Sequence, residues 1–332
     1  MQNPAGQIPP IGTHSTADDI AAWIAAPPVL ALVRAFAETA QDTALAGDLE
    51  LEAGPVAQRL ERLDVFSRRW DTRQGRERHQ AADLDLSPAQ EQLTLASAAP
   101  LGMRGNSPLH FGSYDHLLIL GGTIWGCLVR TARAAALLRS GPEVTGSVTA
   151  LGGHRPFSGN EFALAAAAGV PQLDEEYEAL DHSTRTALGL GDPLRTEGEK
   201  SPLPGGTWGV RHYRTTEGLT VRVAAAPSGE PASRRADTAD TYAFFARHLT
   251  RLRPGQRLLI VTSSINVPAQ HAAAVLELAL PYGVDVDTVG HEPRDVPAPL
   301  ERPYSATAYL REFRSTVRAL RRLTASRCLR SS

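Results

Sequence analysis

The chain has only two cysteines among its 332 residues, Cys127 and Cys328, and they lie far apart. That spacing offers neither a disulfide framework nor the clustered ligands of a zinc site, and it fits a reducing cytoplasm. Positive charge is not in excess either: 34 Lys and Arg stand against 36 Asp and Glu, a formal net charge of -2. No global attraction to nucleic acid is expected, and the run of arginines from Arg311 to Arg330 reads as the solvated face of a helix. Long apolar runs are missing as well. The most apolar early stretch, Ile20 to Ala37, is broken by Pro27-Pro28 and carries Arg34, and no basic region followed by an apolar core opens the chain. Neither a membrane span nor a secretion signal is therefore expected.

Several catalytic signatures are absent too. No Gly-x-Ser-x-Gly follows an expected strand, there is no P-loop lysine, and the full dinucleotide glycine fingerprint is not found. Neither cysteine has a recognisable activating context, so covalent catalysis is not indicated. His154, His182, His212, His248, His271 and His291 show no paired spacing on one helix face; no metal site is proposed, and most of these histidines read as surface residues.

What is present is an order of elements. Residues 1–15 mix prolines, glycines and polar residues without periodicity and read as a mobile arm. Residues 16–110 read as a helical cap: Ile20, Trp23 and Ile24, then Leu30, Val33 and Phe36, recur at helix spacing, with further helices at Pro55–Trp70 and Pro88–Ala98. From residue 111 the pattern becomes strand, glycine turn, helix. His116–Leu120 ends in Gly121-Gly122 before a helix to Arg139, and Ser147–Leu151 ends in Gly152-Gly153 before a helix at Phe162–Ala168. Asp174–Gly206 is polar and reads as an inserted surface segment, followed by the hairpin Thr207–Arg214 and Leu219–Ala226, so that the insertion spans about 174–220. A helix at Ala236–Leu252, a strand at Arg257–Thr262, a helix at Val267–Leu280, a strand at Val284–Val289 and a closing helix at Ser305–Leu323 complete the alternation. Residues 111–332 thus predict an α/β domain with a Rossmann-like parallel sheet covered by helices on both faces.

In such sheets ligands sit beyond the carboxyl ends of the strands, where helix N-termini present free amides. Four clusters fall at such ends. In Gly121-Gly122-Thr123 the missing side chains would let amides approach a carboxylate or phosphate, and the bland alternative is a tight turn. Gly152-Gly153-His154-Arg155 with Asn160-Glu161 adds a cation and a carboxylate. Arg155 would clamp an anion, and Glu161 would bond a ribose or an amine or act as a base. The alternatives here are a surface arginine and a helix-start glutamate favoured by the dipole. Asp237 or Thr238 would be an ordinary N-cap. Thr262, Ser263 and Asn266, where a strand hands over to a helix, offer hydroxyls and an amide for a phosphate or carboxylate, or again only cap the helix.

Taken in order, Leu120-Gly121-Gly122, Gly152-Gly153, Asn160-Glu161-Phe162, Ala236-Asp237-Thr238 and Val261-Thr262-Ser263 resemble the YdcF/SanA/ElyC family. The resemblance departs where that family has His and Arg after Thr-Ser, since this chain has Asn266 and Ala269. It implies a Rossmann-like fold and, through one family member, binding of S-adenosylmethionine. The expectation is a cytoplasmic small-molecule enzyme that binds S-adenosylmethionine or a related nucleoside and transfers a group to a small metabolite. Gly121, Gly122, Gly152 and Gly153 would admit the cofactor, with Thr123 and Arg155 beside them. Glu161, Asp237 and Thr238 would read its hydroxyl or amino groups, Thr262, Ser263 and Asn266 would hold its charged end, and His154 or Glu161 would transfer the proton. The alternatives are a non-catalytic ligand sensor and a hydrolase of a phosphorylated or glycosidic metabolite. The oligomeric state is not legible.

Overall fold

A computed structural model describes residues 17–37, 54–72, 82–104, 108–292, 295–296, 300 and 303–330. The arm expected at 1–15 lies outside the described residues. In chain order the helices are α1 (Ala17–Ile24), α2 (Pro27–Ala37), α3 (Val56–Ser67), α4 (Pro88–Ser97), α5 (Ile124–Ser140), α6 (Glu161–Ala167), α7 (Glu176–Leu188), α8 (Thr238–Phe244), α9 (Val267–Ala274) and α10 (Ala306–Arg330). The strands are β1 (Ser113–Leu120), β2 (Glu143–Gly152), β3 (Arg195–Glu199), β4 (Trp208–Arg214), β5 (Thr220–Ala225), β6 (Arg257–Thr262) and β7 (Asp285–Gly290).

All strands join one seven-stranded sheet in the order β3-β4-β5-β2-β1-β6-β7. The pairs β5/β2, β2/β1, β1/β6 and β6/β7 are parallel, and β3/β4 and β4/β5 are antiparallel. The central strands are apolar without alternation because both of their faces are covered: Leu117, Leu118 and Ile119 in β1 and Leu258 to Val261 in β6 are fully buried. From β1 the chain steps to β2 on one side, whereas from β5 it crosses to β6 on the other. Right-handed crossovers in opposite directions set their helices on opposite faces. Asp287 of β7 links across the sheet to β1, accepting from Tyr114 Oη and from the His110 backbone amide at 2.8 Å.

Two compact units emerge, and they interleave in sequence. One comprises Asn106–Ser263 and Glu277–Arg302, the sheet unit; the other comprises Met1–Gly105, Ser264–Leu276 and Pro303–Ser332, the helical unit. The division expected at residues 110 and 111 therefore changes, because α9 and α10 cluster with the N-terminal helices. In the helical unit Trp70 is fully buried, edge-on to Phe36, Phe66 and Phe313 at ring separations of 5.4, 5.5 and 5.3 Å, and Trp23 stacks on Phe313 at 5.4 Å. Beside them Asp64 of α3 bonds Arg314 at 3.1 Å and also Arg321 of α10. Among the described residues no single helix is long and apolar enough to cross a membrane.

The segment read as a surface insertion needs correction. It contains α7, whose Tyr177, Ala179 and Leu180 are buried in the sheet-unit core. Its acidic residues misled because they are buried in pairs: Asp181 accepts from Tyr213 Oη at 2.5 Å and meets Arg211 at 2.8 Å. The hairpin forms as expected, and its second strand is a full member of the sheet, with Val221 and Val223 fully buried beside β2.

Candidate functional site

The glycines at the strand ends make room first for the protein's own charged side chains. β1 and β2 end side by side, Leu120 opposite Leu151. A Cβ on Gly121 would stand 2.5 Å from Glu176 Oε1 and 2.9 Å from Gly152 Cα, and one on Gly152 would stand 2.9 Å from the same carboxylate oxygen. A Cβ on Gly122 would meet Arg130 Nη1 at 3.3 Å. The expectation that these three glycines open backbone space to a ligand is thus corrected for most of their surface. Gly153 differs: the nearest atom to its Cβ would be the Ala236 methyl at 3.6 Å.

Carbonyl oxygens at the end of β1 are gathered by two arginines. Arg130, on α5, donates through Nη1 to Leu120 O at 2.8 Å and to Gly121 O, and through Nε to Ser263 Oγ at 3.0 Å. Arg155 donates through Nε to Glu176 Oε2 at 3.0 Å. Its Nη1 serves Glu161 Oε2 at 2.7 Å and Pro156 O at 3.2 Å, and its Nη2 serves Glu161 Oε1 at 2.9 Å and Gly122 O at 3.0 Å. A guanidinium has five N–H donors. All those of Arg155 are engaged, so it does not stand ready to clamp a ligand anion.

Glu161 is equally committed. Besides Arg155 it accepts from the Ile124 amide at 3.0 Å, the Ser158 amide at 3.0 Å and Ser158 Oγ at 3.3 Å. Burial alone would raise its carboxyl, but the hydrogen bonds and charge of Arg155, with those two amides, outweigh burial and hold it below the usual carboxylate range. The Ile124 amide opens α5, capped by Thr123, so the place where a Rossmann-type helix receives an anion is filled by this carboxylate. Glu161 fixes Arg155; an ionised carboxylate with every oxygen engaged is a poor proton acceptor.

Beyond these groups lies a cavity of about 190 Å³, lined by Gly121, Gly152, Gly153, His154, Arg155 and Glu176 together with Arg235 to Thr238 and Thr241. Three of the four expected clusters therefore meet. Asp237 caps α8, its Oδ1 accepting from Ala239 at 2.9 Å and from Asp240 at 3.1 Å. Thr262 and Ser263, buried at the end of β6, do not line the cavity, although Ser263 holds Arg130. Asn266 clusters with the helical unit.

Two residues that sequence reasoning passed over matter most. Glu175 Oε2 bonds His154 Nδ1 at 3.0 Å, leaving the buried Nε2 without a hydrogen-bond partner. Glu176 is 8% exposed. Burial, the largest influence, pushes its carboxyl above the usual range against the pull of Arg155 and Arg130. Both sat within the supposed insertion. The available signal was the helical spacing of Tyr177, Leu180 and Thr184 behind an acidic first turn, which reads as a core helix. Cys127 is buried, its thiol pushed up to about 12 by burial and by Glu176. Of the histidines expected at the surface, His271 and His291 are buried, and burial with Arg130 and Arg133 brings His291 down to about 4. Among the described residues no group of three or more His, Cys, Asp and Glu is placed to hold a metal ion.

Comparison with known proteins corrects the family expectation. The family described as the Rv3785 N-terminal domain matches residues 9–102. Over 291 residues the chain is 31% identical to the uncharacterized protein Rv3785 of Mycobacterium tuberculosis H37Rv, covering 80% of each chain. Uncharacterized proteins of Mycobacterium tuberculosis CDC 1551 and of Mycobacterium bovis match with the same identity and coverage. No solved structure matches significantly. The resemblance to the YdcF/SanA/ElyC family is therefore overturned. Glycine-ended strands in the same order arise here because Glu176 and Arg130 need the space, a requirement internal to this fold. The chain belongs to the family of Rv3785.

Proposed function

We propose that the chain is an enzyme acting on a small polar metabolite bound at the carboxyl ends of β1 and β2, with His154 as the proton-transferring group and Glu175 as the residue that orients it. The observation that carries this reading is His154 itself: it lines the cavity, its Nδ1 is held by a carboxylate, and its buried Nε2 has no hydrogen-bond partner. A buried polar atom left unmatched costs about 1–3 kcal/mol. An imidazole fixed through one nitrogen with the other in reserve is the arrangement general acid–base catalysis uses. Asp237, Thr238 and Thr241 also line the cavity and supply polar contacts that orient the ligand.

S-adenosylmethionine was expected through the family resemblance alone. Support for a nucleoside now rests on position, since strand ends of this kind hold such ligands. The commitment of all five Arg155 donors speaks against hydrolysis of a phosphate ester at this pocket. The test is calorimetric titration of a panel of nucleosides, S-adenosylmethionine and small amino and hydroxy compounds, with mass spectrometry for turnover of whatever binds. His154→Gln should retain binding and lose turnover by a factor of about 10²–10⁴. Binding without any product would make the protein a non-catalytic sensor, and turnover unchanged in His154→Gln would refute the assignment.

A further inference from the structure

The charges around the cavity are unequal in their freedom. Glu176 gives Oε2 to Arg155, whereas Oε1, in the space that Cβ atoms on Gly121 and Gly152 would take, has no side-chain donor among the described residues. The Gly153 amide is the backbone donor near this carboxylate. Arg155 is spent on its own partners, and Arg235 and Asp237 bring one charge of each sign to the lining. Counting the groups bonded to the lining, Arg130, Arg155, Arg234 and Arg235 stand against Glu161, Glu175, Glu176, Asp237 and Asp240, so carboxylates outnumber guanidinium groups. A buried carboxylate facing a cavity is satisfied best by a charged donor.

We infer that the ligand of this pocket presents a protonated amine, received by Glu176 at Oε1, and that small carboxylates and phosphates are rejected. The inference rests on the strand-end cavity being the ligand site. It also gives Gly121 and Gly152 a purpose: without side chains they let the carboxylate lie against the backbone with one oxygen turned from Arg155.

The experiment uses the full chain labelled with 15N-glycine and 15N-histidine, titrated at matched pH and ionic strength with ethanolamine, ethylene glycol and glycolate. Ethanolamine should shift the amides of Gly121, Gly152, Gly153 and His154 saturably, with glycolate weaker by between about tenfold and a hundredfold. Glu176→Gln, which keeps an acceptor for Arg155 and turns an amide donor to the cavity, should abolish the preference for the amine. Glycolate binding as tightly as ethanolamine at those amides, or Glu176→Gln leaving ethanolamine affinity unchanged, would overturn the amine assignment while keeping the pocket. No saturable shift from any of the three compounds would overturn the assignment and the pocket together. If Glu176→Gln does not fold, the three-compound series on the native chain decides alone.

Discussion

Replacing Gly121 by alanine and Gly153 by alanine should have opposite effects, although both glycines end strands at one cavity. At Gly121 the new methyl would overlap Glu176 Oε1 at 2.5 Å, Gly152 Cα at 2.9 Å and Leu151 O at 3.0 Å. The carboxylate can withdraw only by giving up Arg155, and the other two atoms are backbone. Overpacking of this kind costs about 1–3 kcal/mol. For a unit of this size each kcal/mol moves the melting midpoint by about 2–4 °C, so a fall of about 2–12 °C is expected. At Gly153 the methyl would find only the Ala236 methyl at 3.6 Å, an ordinary contact, and Gly153 is not among the glycines with positive φ. There the loss of unfolded-state freedom stabilises by about 0.4–1 kcal/mol. Thermal melts and urea titrations followed by circular dichroism would measure both, with unchanged m-values required for the comparison. Equal shifts for the two variants would refute the claim that Glu176 occupies the space Gly121 leaves.

Arg155→Met should destabilise the sheet unit by about 3–5 kcal/mol, since it leaves Glu161 and Glu176 buried without their shared cation; a loss below about 1 kcal/mol in urea titration would count against the network. The acid limb of stability should carry a Glu161 component. Its carboxyl is held low in the folded state, so its contribution is present above the unfolded value of about 4.3 and disappears as pH falls through the depressed folded value. In Glu161→Gln that part of the pH slope should vanish in urea midpoints measured from neutral to acid pH. Glu176 has the opposite sign: its carboxyl is raised, so its contribution is complete below the unfolded value and is lost as pH rises through the folded one. Tyr114→Phe removes a buried hydroxyl that donates to Asp287 and should cost about 1.5–3 kcal/mol; a neutral effect would show that His110 alone satisfies that carboxylate.

Much of the architecture was readable because its signals are local. The strand Arg257–Thr262 has the same bounds in sequence and structure, and β1 announces itself by an unbroken apolar run before a glycine turn. The closing helix and the β4/β5 hairpin were legible for the same reason. The site was readable only in part. Gly121, Gly153, His154 and Asp237 do meet, yet the role of Gly121 depends on Glu176, which lies far along the chain and reads as a surface acid until a partner arginine is known. Glu161 stands out in the sequence as a candidate base, but whether such a group reacts or only braces depends on counting its donors, which no spacing shows. Asn266 meets a different limit: a strand followed by a helix does not say which core the helix will join.

The aromatic cluster of the helical unit reaches from Trp23 to Phe313, almost the whole length of the chain. A ribosome that has released α1 to α4 has therefore supplied only part of a core, and Trp70 must wait for α10 before its last aromatic neighbour exists. A protein cut after residue 102, where the family match to its first segment ends, would keep the helices but expose Trp23 and Trp70 and strand Asp64 without Arg314 and Arg321. It should behave as a loosely packed, self-associating fragment. Adding the isolated 264–276 and 303–332 peptides in trans should restore a cooperative melt.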